Sequence, residues 1–312
     1  MGSTINLRWF SENADQDQVV IAAREIADRW VGVLSDYDPT SEAMVASDMA
    51  SNGDFISISD SLWNVVQICD QWHRWSAGAF DAALGSLTSL RRKKRETTSA
   101  AQWDRARSNS GWHLVELDVP KQAIRFTVPG VRFDFGAIGK GIVVDRIADR
   151  LQDMGIDQYI VNASGNMRIG RAPNDTLGWP IAIDVPANSD SDSSVELTRM
   201  RISQCGIATS GDRWQRFPDG VGAKKDASTS HIIDPRNKRG VSGRQSVTIL
   251  TETAADADAA ATATCVRAHD DLAGWLQTLA EKKPKLQTIV LLKDEPSQAI
   301  RFISNAADLG FE

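Results

Sequence analysis

Asp258 and Thr262 are the strongest candidates for metal chemistry in this sequence. They stand four positions apart in the alanine-rich run 255–264, which is typical of a helix. Residues four apart share one helix face, so a carboxylate oxygen and a hydroxyl oxygen would project together. Mg²⁺ prefers such hard oxygen ligands and completes its octahedron with water and phosphate. On the spacing alone, a helix with Asp256 at its N-terminus and Thr262 bonded to its own backbone remains the more common alternative.

A glycine-rich loop precedes a predicted helix at residues 133–141. Gly136, Gly139 and Gly141 surround Lys140 in this loop. Backbone N–H groups and a positive charge at the start of a helix suit phosphate oxygens. The loop does not fit the Walker A spacing, because Gly141 stands where that motif has serine or threonine. Such turns also occur without a ligand, so the loop by itself leaves phosphate binding open.

His231 is the candidate general base. It follows the polar run 228–230 and opens a short apolar pair that stops at Asp234-Pro235. A turn of this kind can hold a side chain at the rim of a pocket, and the near-neutral pKa of an ordinary histidine suits proton transfer. A surface or structural histidine would give the same pattern.

Two shorter segments also carry polar or aromatic side chains at predicted turns. Residues 208–212, Ala-Thr-Ser-Gly-Asp, predict a hydroxyl-rich turn that either holds phosphates or caps a helix. Residues 78–81, Gly-Ala-Phe-Asp, predict a tight turn for which packing is the simplest explanation.

The elements that must position these residues follow from hydrophobic periodicity. Helices are expected over about 15–34, from Ser59 to Trp72, and over 140–153, 255–268 and 271–282. Strands are expected at 113–117, 123–128, 158–162, 180–185, 245–250 and 288–292. Residues 88–111 are predicted to be a polar connection with one exposed helix, and the basic run 91–95 a solvated loop or helix end. Because hairpin-like strand pairs alternate with helical crossovers, we expect a single α+β domain over residues 1–312, with mixed or antiparallel sheets.

Composition excludes several classes of protein. The 312 residues are 42% hydrophobic and 24% charged, which is ordinary for a globular protein. A formal net charge of −6 argues against broad nucleic-acid binding. No stretch approaches the roughly 20 apolar residues that cross a bilayer. The three cysteines are scattered, which argues against a disulfide scaffold or a zinc site.

Taken in order, the candidate segments resemble the ApbE family of flavin transferases. Seven segments match the recurring motifs of that family and span nearly the whole chain, so the combined signal is far more specific than any one of them. The matching segments are Met1-Gly2-Ser3, Ser35–Glu42, Gly78–Asp81, Asp134–Gly141, Thr209–Asp212, His231–Pro235 and Ala257–Ala263.

The resemblance implies a fold and a site. The fold would be related to the T-fold, with FAD in a pocket between its halves. Mg²⁺ would be held by Asp258, Thr262 and a backbone oxygen near Ala137, with Asp258 and the general base His231 as the catalytic residues. The residues implied to line the FAD site are Met1, Tyr37, Gly78, Phe80, Asp81, Lys140, Thr209, Ser210 and Gly211.

The resemblance also implies a reaction and its partners. The enzyme would transfer the FMN half of FAD to a threonine or serine hydroxyl of an acceptor flavoprotein and release AMP. Two alternatives stay open: an FAD pyrophosphatase, in which water takes the place of the hydroxyl, and a protein that binds FAD without turning it over.

The sequence departs from the family pattern at a few positions. Asn237-Lys238 replaces the usual Thr-Gly after the histidine motif, and Ser164-Gly165 replaces a glycine pair. Ala82-Ala83 replaces the usual Pro-Thr-like pair, and Ser3 replaces threonine. These changes put substrate docking and flavin affinity in question more than catalysis. Family members are commonly exported and lipid-anchored, and this sequence shows no leader, so a cytoplasmic enzyme and a trimmed exported one both remain expectations.

Overall fold

The chain folds into two compact units, each assembled from separate chain segments. A computed structural model describes residues 4–92, 98–173, 176–185, 196–211, 216–218, 228–242, 244–268, 270–293 and 300–304. The first unit contains Asp28–Ala137 and Gln215–Val241. The second contains Gly2–Ala27, Ile138–Trp214 and Ser242–Glu312.

Eight α-helices lie within the described ranges. They are α1 (Gln16–Leu34), α2 (Glu42–Ala50), α3 (Asp60–Trp75), α4 (Gly85–Arg92), α5 (Ala100–Ser108), α6 (Gly139–Asp153), α7 (Ala254–Arg267) and α8 (Leu272–Lys282).

The strands described are short, and every pairing among them is antiparallel. They are β1 (Ile5–Phe10), β2 (Ile56–Ser57), β3 (Val115–Asp118), β4 (Ala123–Phe126), β5 (Gln158–Ala163), β6 (Asn166–Ile169), β7 (Trp179–Val185), β8 (Glu196–Ile202), β9 (Cys205–Gly211), β10 (Arg216–Pro218), β11 (Ser228–Ser230), β12 (Ile233–Asp234), β13 (Arg239–Gly240), β14 (Arg244–Thr251), β15 (Gln287–Lys293) and β16 (Ile300–Ser304).

A seven-stranded sheet organises the second unit. Its strand order is β1-β5-β6-β9-β14-β15-β16. Because successive side chains of a strand point to opposite faces, the two faces carry different residues. The face with Gly206, Ala208 and Ser210 of β9 packs against α7, and α6 packs beside α7 on β5 and β6.

The opposite face of this sheet packs against the hairpin of β7 and β8. Trp179 at the start of that hairpin is 2% exposed, and Phe10 of β1 stacks on its indole ring with centroids 5.5 Å apart. This apolar layer comprises Ile169, Trp179, Ile181, Ile183, Met200, Ile202, Ile207, Leu250 and Ile289. The second unit therefore has three layers, which are the β7–β8 hairpin, the seven-stranded sheet, and the pair of helices α6 and α7.

The first unit is built from helices and small sheets. A three-stranded sheet has the order β2-β4-β3, and two-stranded pairs join β10 with β11 and β12 with β13. Ser59 caps α3 by accepting a hydrogen bond from the Leu62 amide, as expected from the sequence. Aromatic side chains form much of the interior, and Phe133 contacts the rings of Trp112, Phe126 and Phe135.

The predicted α+β class with antiparallel sheets is confirmed, and so are most of the predicted elements. Helices α1, α3, α6, α7 and α8 and strands β3, β4, β5, β7, β14 and β15 lie within a few residues of their expected bounds. Residues 88–111 were predicted to be a polar connection with one exposed helix, and only the presence of a helix is confirmed. They contain the end of α4 and all of α5, which buries Trp103 against the α4 leucines. The prediction failed because these helices are polar on all but one narrow stripe.

The basic run was also assigned to the wrong environment. Arg91 lies in the last turn of α4, as the predicted helix end requires, but it is only 7% exposed and donates hydrogen bonds to Thr229 Oγ1 and Ser230 O, each at 3.1 Å. Arg92 is half-buried between two aspartates. Residues 93–95 lie outside the described part of the chain.

We predict that Gly206→Ala strongly destabilises the second unit. A Cβ atom at Gly206 would lie 2.1 Å from the Thr253 carbonyl carbon and 2.2 Å from the Ala254 nitrogen, so β9 and α7 would have to separate. Overpacking of this kind costs about 3 kcal/mol or prevents folding. Urea unfolding of the variant checks this.

Gly32→Ala is the matched control. Gly32 lies on the exposed side of α1 and no atom would come within 4 Å of an added Cβ. Alanine should stabilise that helix by up to about 1 kcal/mol. Equal effects of the two substitutions would show that the close approach at Gly206 does not constrain the fold.

Candidate functional site

Asp258 lies in the middle of α7 with its carboxylate facing the N-terminal turn of α6. Its side chain is 4% exposed, and the Lys140 ammonium lies 3.7 Å from its Oδ2 atom. The Gly141 amide donates to the same oxygen at 3.3 Å. The structure thus brings together two of the predicted site residues, Asp258 and Lys140, from segments more than a hundred positions apart.

Thr262 stands one turn further along the same face of α7, as predicted. Its Oγ1 atom lies 3.3 Å from the Ser210 Oγ on β9. Together with Asp258, these side chains line up a carboxylate and two hydroxyls between helix and sheet. Ser210 therefore joins the candidate site through contact with Thr262.

Thr209 and Ser210 point to opposite faces of the sheet. The segment 209–211 was predicted to be a turn, but it forms the end of strand β9. Thr209 Oγ1 lies 2.8 Å from Thr248 Oγ1, on the face away from α7, whereas Ser210 faces the helix. Gly211 pairs with Ser246 of β14 within the sheet. Because successive side chains of a strand point to opposite faces, Thr209 and Ser210 lie on different sides of the sheet, whereas the predicted turn would have placed them together.

Asp145 is a residue of this region that the sequence analysis missed. Its two carboxylate oxygens accept hydrogen bonds from the Ala254 and Ala255 amides, at 2.9 and 2.8 Å. Burial raises its pKa to about 6. A usable signal was present in the sequence, because Asp145 falls on the buried face of α6 with Gly141 and Ala148, four and three positions away.

The residues around Asp258 fit a Mg²⁺ ion. Mg²⁺ in proteins is bound through one or two carboxylates, with hydroxyls, waters and substrate phosphates completing the shell. Asp258 and Thr262 supply such hard oxygens on one helix face, at a site with little competing bulk from the neighbouring alanines. No group of three or more histidine, cysteine, aspartate or glutamate side chains able to hold a metal occurs among the described residues. A carboxylate and a hydroxyl on one helix face suit an ion whose other positions are filled by water and phosphate oxygens.

His231 lies in the first unit, at the bend between β11 and β12. Its side chain is exposed, while Ser230 and Ile232 on either side are buried. Ser230 Oγ accepts a hydrogen bond from the Ile232 amide at 3.1 Å. Arg91 holds the preceding strand through Thr229 and Ser230, so a buried guanidinium fixes the backbone from which the histidine projects.

Tyr37 is an exposed ring of the first unit, with 69% of its surface accessible. The Arg92 guanidinium carbon lies 4.4 Å from the centre of the ring, in a cation–π contact. Arg92 also pairs with Asp36 and, at 3.0 Å, with Asp134 of the glycine-rich loop. Burial and the nearby Asp134 raise the pKa of Asp36, while Arg92 opposes that rise.

The Gly78–Asp81 turn is tied into the interior of the first unit. Asp81 accepts hydrogen bonds from the Ala83 and Trp112 amides at 2.7 and 2.8 Å, so both of its carboxylate oxygens are engaged by backbone. Phe80 is 1% exposed, and its carbonyl lies 3.0 Å from the His73 Nδ1 atom. Burial raises the Asp81 pKa, which the two amide hydrogen bonds oppose. These contacts support the packing explanation for the turn.

Ala137 and Met1 are two further predicted site residues. Ala137 ends the segment 28–137 of the first unit, immediately before α6. Met1 lies outside the described residues, as does Asp212 of the hydroxyl-rich segment.

Comparison with known proteins decides the family. A family model described as "ApbE family" matches residues 1–289 of the 312. The chain belongs to the ApbE family. The resemblance of the seven sequence segments is thereby confirmed.

Curated relatives of this ApbE chain carry the name FAD:protein FMN transferase. A Vibrio cholerae protein is 28% identical over 86% of this chain and 80% of its own length. Relatives from Chlamydia trachomatis and Escherichia coli K12 are 28% and 26% identical over 67% and 73% of this chain. These two alignments span 63% and 64% of the relatives, slightly less than two thirds. The predicted enzyme class, a transferase, is confirmed.

Solved ApbE structures share the fold. "Flavin Transferase ApbE from Vibrio cholerae" superposes with a TM-score of 0.82 and 23% identity, covering 97% of this chain and 94% of that one. A Thermotoga maritima ApbE protein gives a TM-score of 0.78 at 22% identity, over 96% and 94% of the two chains. No helix in the part of the chain that the structure describes is both long and apolar enough to span a membrane.

The structure shows how this ApbE chain accommodates its departure after the histidine motif. Lys238, where the family has glycine, adopts a left-handed φ of 60°. Its ammonium donates to Arg107 O at 2.8 Å. Arg236 and Asn237 both donate to the Asp234 carboxylate, which closes the turn. The hydrogen bonds of these long side chains thus stabilise the turn, which glycine would instead favour because it adopts a left-handed φ without strain.

Ser164 makes the second departure in a similar backbone setting. Ser164 and Gly165 have φ values of 54° and 94° in the two-residue turn between β5 and β6. Such hairpin turns require positive φ at both positions, which explains the glycine pair of the family. Asn162 Oδ1 accepts the Gly165 amide at 2.9 Å and so supports the turn here.

We predict that Lys238→Gly is more stable than Lys238→Ala by about 1 kcal/mol. Both substitutions remove the hydrogen bond to Arg107 O, but only glycine relieves the left-handed strain, which costs a non-glycine residue about that amount. Urea unfolding of the two variants measures the difference, when the two free energies of unfolding depend on urea concentration with the same slope. Equal stabilities would show that the turn imposes no strain on residue 238.

Proposed function

We propose that this chain is an FAD:protein FMN transferase that depends on Mg²⁺. In this proposal residues 1–312 act as one flavin transferase domain, FAD is the substrate, and AMP is released. The acceptor is a flavoprotein that presents a threonine or serine hydroxyl. The names of the curated relatives support the reaction class.

The observation that carries the proposal is the environment of the Asp258 carboxylate. An acidic side chain that is 4% exposed and also faces a lysine and a helix-start amide is suited to a ligand with alternating charges. A metal cation would pair with Asp258 and Thr262, and phosphate oxygens would pair with Lys140 and the first amides of α6. A protein that only packed α6 against α7 would have no need of a buried carboxylate facing a lysine.

The chemistry follows from what each side chain can do. The acceptor hydroxyl oxygen forms a bond to the FMN-side phosphorus of FAD, and the bond from that phosphorus to the bridging oxygen breaks. AMP leaves with the bridging oxygen and its negative charge. A bound Mg²⁺ would supply neutralisation of charge on the pyrophosphate. Lys140 holds and orients the phosphate oxygens, so the contribution of the protein is positioning together with charge stabilisation.

His231 is assigned the role of general base. It takes the proton of the acceptor hydroxyl as the new oxygen–phosphorus bond forms. Its exposure and its rigid backbone suit a group that must meet a side chain delivered by another protein. The remaining positions implied by the family are proposed to complete the FAD and metal sites. They are Met1, Tyr37, Gly78, Phe80, Asp81, Thr209, Ser210, Gly211 and the Ala137 carbonyl.

Chromatography of flavins and nucleotides tests the proposed reaction. The purified protein is incubated with FAD and Mg²⁺, with and without an acceptor flavoprotein domain. AMP together with an FMN mass increase on the acceptor establishes the transferase. Free FMN with AMP would establish the pyrophosphatase, and bound FAD without AMP the carrier protein.

We predict that Asp258→Ala removes Mg²⁺-dependent AMP release while the protein stays folded. The side chain supplies the carboxylate of the proposed metal site, and its loss removes several kcal/mol of charge stabilisation. The control is Asp256→Ala, because Asp256 is on the same helix but pairs with Lys283 at 2.6 Å. AMP release by Asp258→Ala at the rate of the control would overturn the metal assignment.

We predict that His231→Ala keeps FAD binding and slows FMN transfer by roughly 10²–10⁴-fold, since general-base catalysis contributes a factor of that size. FAD binding is measured by fluorescence, and transfer by the mass of the acceptor. His113→Ala, a second exposed histidine of the first unit, is the control. Loss of FAD binding in His231→Ala would make the histidine a structural residue instead.

A further inference from the structure

The first turn of α7 is held by a carboxylate from another helix. A helix begins with backbone N–H groups that have no partner within the helix. Thr253 Oγ1 accepts the Asp256 amide at 3.1 Å, as an ordinary N-cap does. The two amides before it, of Ala254 and Ala255, both donate to Asp145 of α6. Asp145 therefore completes the capping of α7 from outside.

No other group can easily replace this carboxylate, because the backbone is packed closely around it. A Cβ at Gly141 of α6 would lie 2.3 Å from Ala254 O, and Gly206 of β9 approaches the same turn. Ala254, Asp258 and Thr262 follow one another at four-residue intervals on α7. A shift of the first turn along or around the helix axis would therefore displace Asp258 by a similar amount.

We propose that Asp145 is a positioning residue, whose ionised carboxylate anchors the first turn of α7 and thereby places Asp258 and Thr262 for metal and phosphate binding. The anchoring of α7 rests on the hydrogen bonds to Ala254 and Ala255. The effect on metal and phosphate binding rests on the proposed function. Supporting residues of this kind typically change metal affinity or activity by 10- to 100-fold when they are replaced.

The charges around Asp145 come from each element packed against it. Arg168 of β6 lies with its Nε atom 3.7 Å from Asp145 Oδ1 and lowers the pKa. Asp149, one turn along α6, raises it, and α7 contributes the two amide hydrogen bonds, which lower it. Tyr159 of β5 lies close enough for its own pKa to be raised in part by Asp145. Burial outweighs the favourable contacts, and the pKa of Asp145 stands at about 6 instead of 3.8.

The raised pKa gives the anchor a cost in stability at neutral pH. The folded state binds a proton at Asp145 more readily than the unfolded chain does. Stability contributed by the protonated form is complete below about pH 4 and is lost as the pH rises through about 6. Above that pH the protein retains a buried charge that lowers its stability, but the ionised carboxylate accepts both amide hydrogen bonds more strongly than the protonated carboxyl does. Retention of a destabilising group is typical of positions that serve function.

Asp145→Asn tests the inference, with Asp149→Asn as the matched control. Asp149 is half-exposed and pairs with Arg146 on the same helix, so its substitution makes the same chemical change without touching α7. In Asp145→Asn one amide of the first turn faces an NH₂ group. We expect amide hydrogen exchange of residues 254–257 to accelerate at least about tenfold, while exchange in α8 is unchanged. We also expect the Mg²⁺ concentration for half-maximal AMP release to rise about 10- to 100-fold.

A pH series separates positioning from a general structural role. The two amide hydrogen bonds lower the pKa of Asp145, so a local opening of the α7 turn that breaks them while Asp145 stays buried would raise that pKa further, and protonation favours the open turn. In the wild type, exchange protection of residues 254–257, corrected for intrinsic rates, should therefore fall as the pH drops through about 6. Asp145→Asn should lack that step, and its melting temperature at pH 7.5 should stay within a few degrees of the wild type. Asp145→Ser provides a second variant if the asparagine variant does not fold.

The outcomes distinguish this inference from the proposed function. Wild-type exchange at residues 254–257 in Asp145→Asn would overturn the anchor, and wild-type Mg²⁺ dependence would overturn its consequence for the site. A melting temperature that falls in parallel with activity would reduce Asp145 to a structural cap. Absence of AMP release by the wild type would sink the proposed function, while the exchange measurements would still decide the anchor.

Discussion

The start of α7 is the constraint on which the second unit depends. Gly141 of α6 and Gly206 of β9 both approach the backbone of this turn so closely that neither tolerates a side-chain carbon. Asp145 binds its first two amides, and Thr253 binds the third. Helices α6 and α7 and strand β9 therefore cannot slide past one another easily. The polar side chains of α7 are held in place by the same contacts. Backbone contact of this kind is a stronger restraint than apolar side chains, which can repack.

Charge in the candidate site is arranged around this rigid contact. Asp258 is buried and faces a lysine, while Thr262 meets a serine of the sheet. The same helix carries mainly alanine on its other buried positions, so that close packing coexists with a polar face. A buried carboxylate near an ammonium is of limited value for stability, since desolvation opposes the attraction. Its value lies in binding a ligand that brings both a cation and an anion.

In the first unit, buried charged groups hold backbone segments in place. Arg91 secures the strand before His231, and Asp81 binds two amides of neighbouring loops. Lys238 shows how this chain departs from its ApbE relatives without losing a turn, because its ammonium reaches a carbonyl while its backbone takes the glycine conformation. Side-chain hydrogen bonds thus offset an unfavourable φ angle. The backbone that precedes His231 is therefore held by polar contacts as well as by apolar packing.

The sequence by itself determined the α+β class, most of the long elements, the pairing of Asp258 with Thr262 on one helix face, and the family. These depend on local periodicity and on ordered motifs, which a single chain displays directly. Only the tertiary structure decided that Ser210 faces α7 while Thr209 faces away, that Arg91 is buried, and that Asp145 caps a helix 109 residues further along the chain. Those facts depend on sheet register and on contacts between distant segments. Hydrophobic spacing and residue type do not determine these features, because the same side chain can be exposed or buried depending on which other segment packs against it.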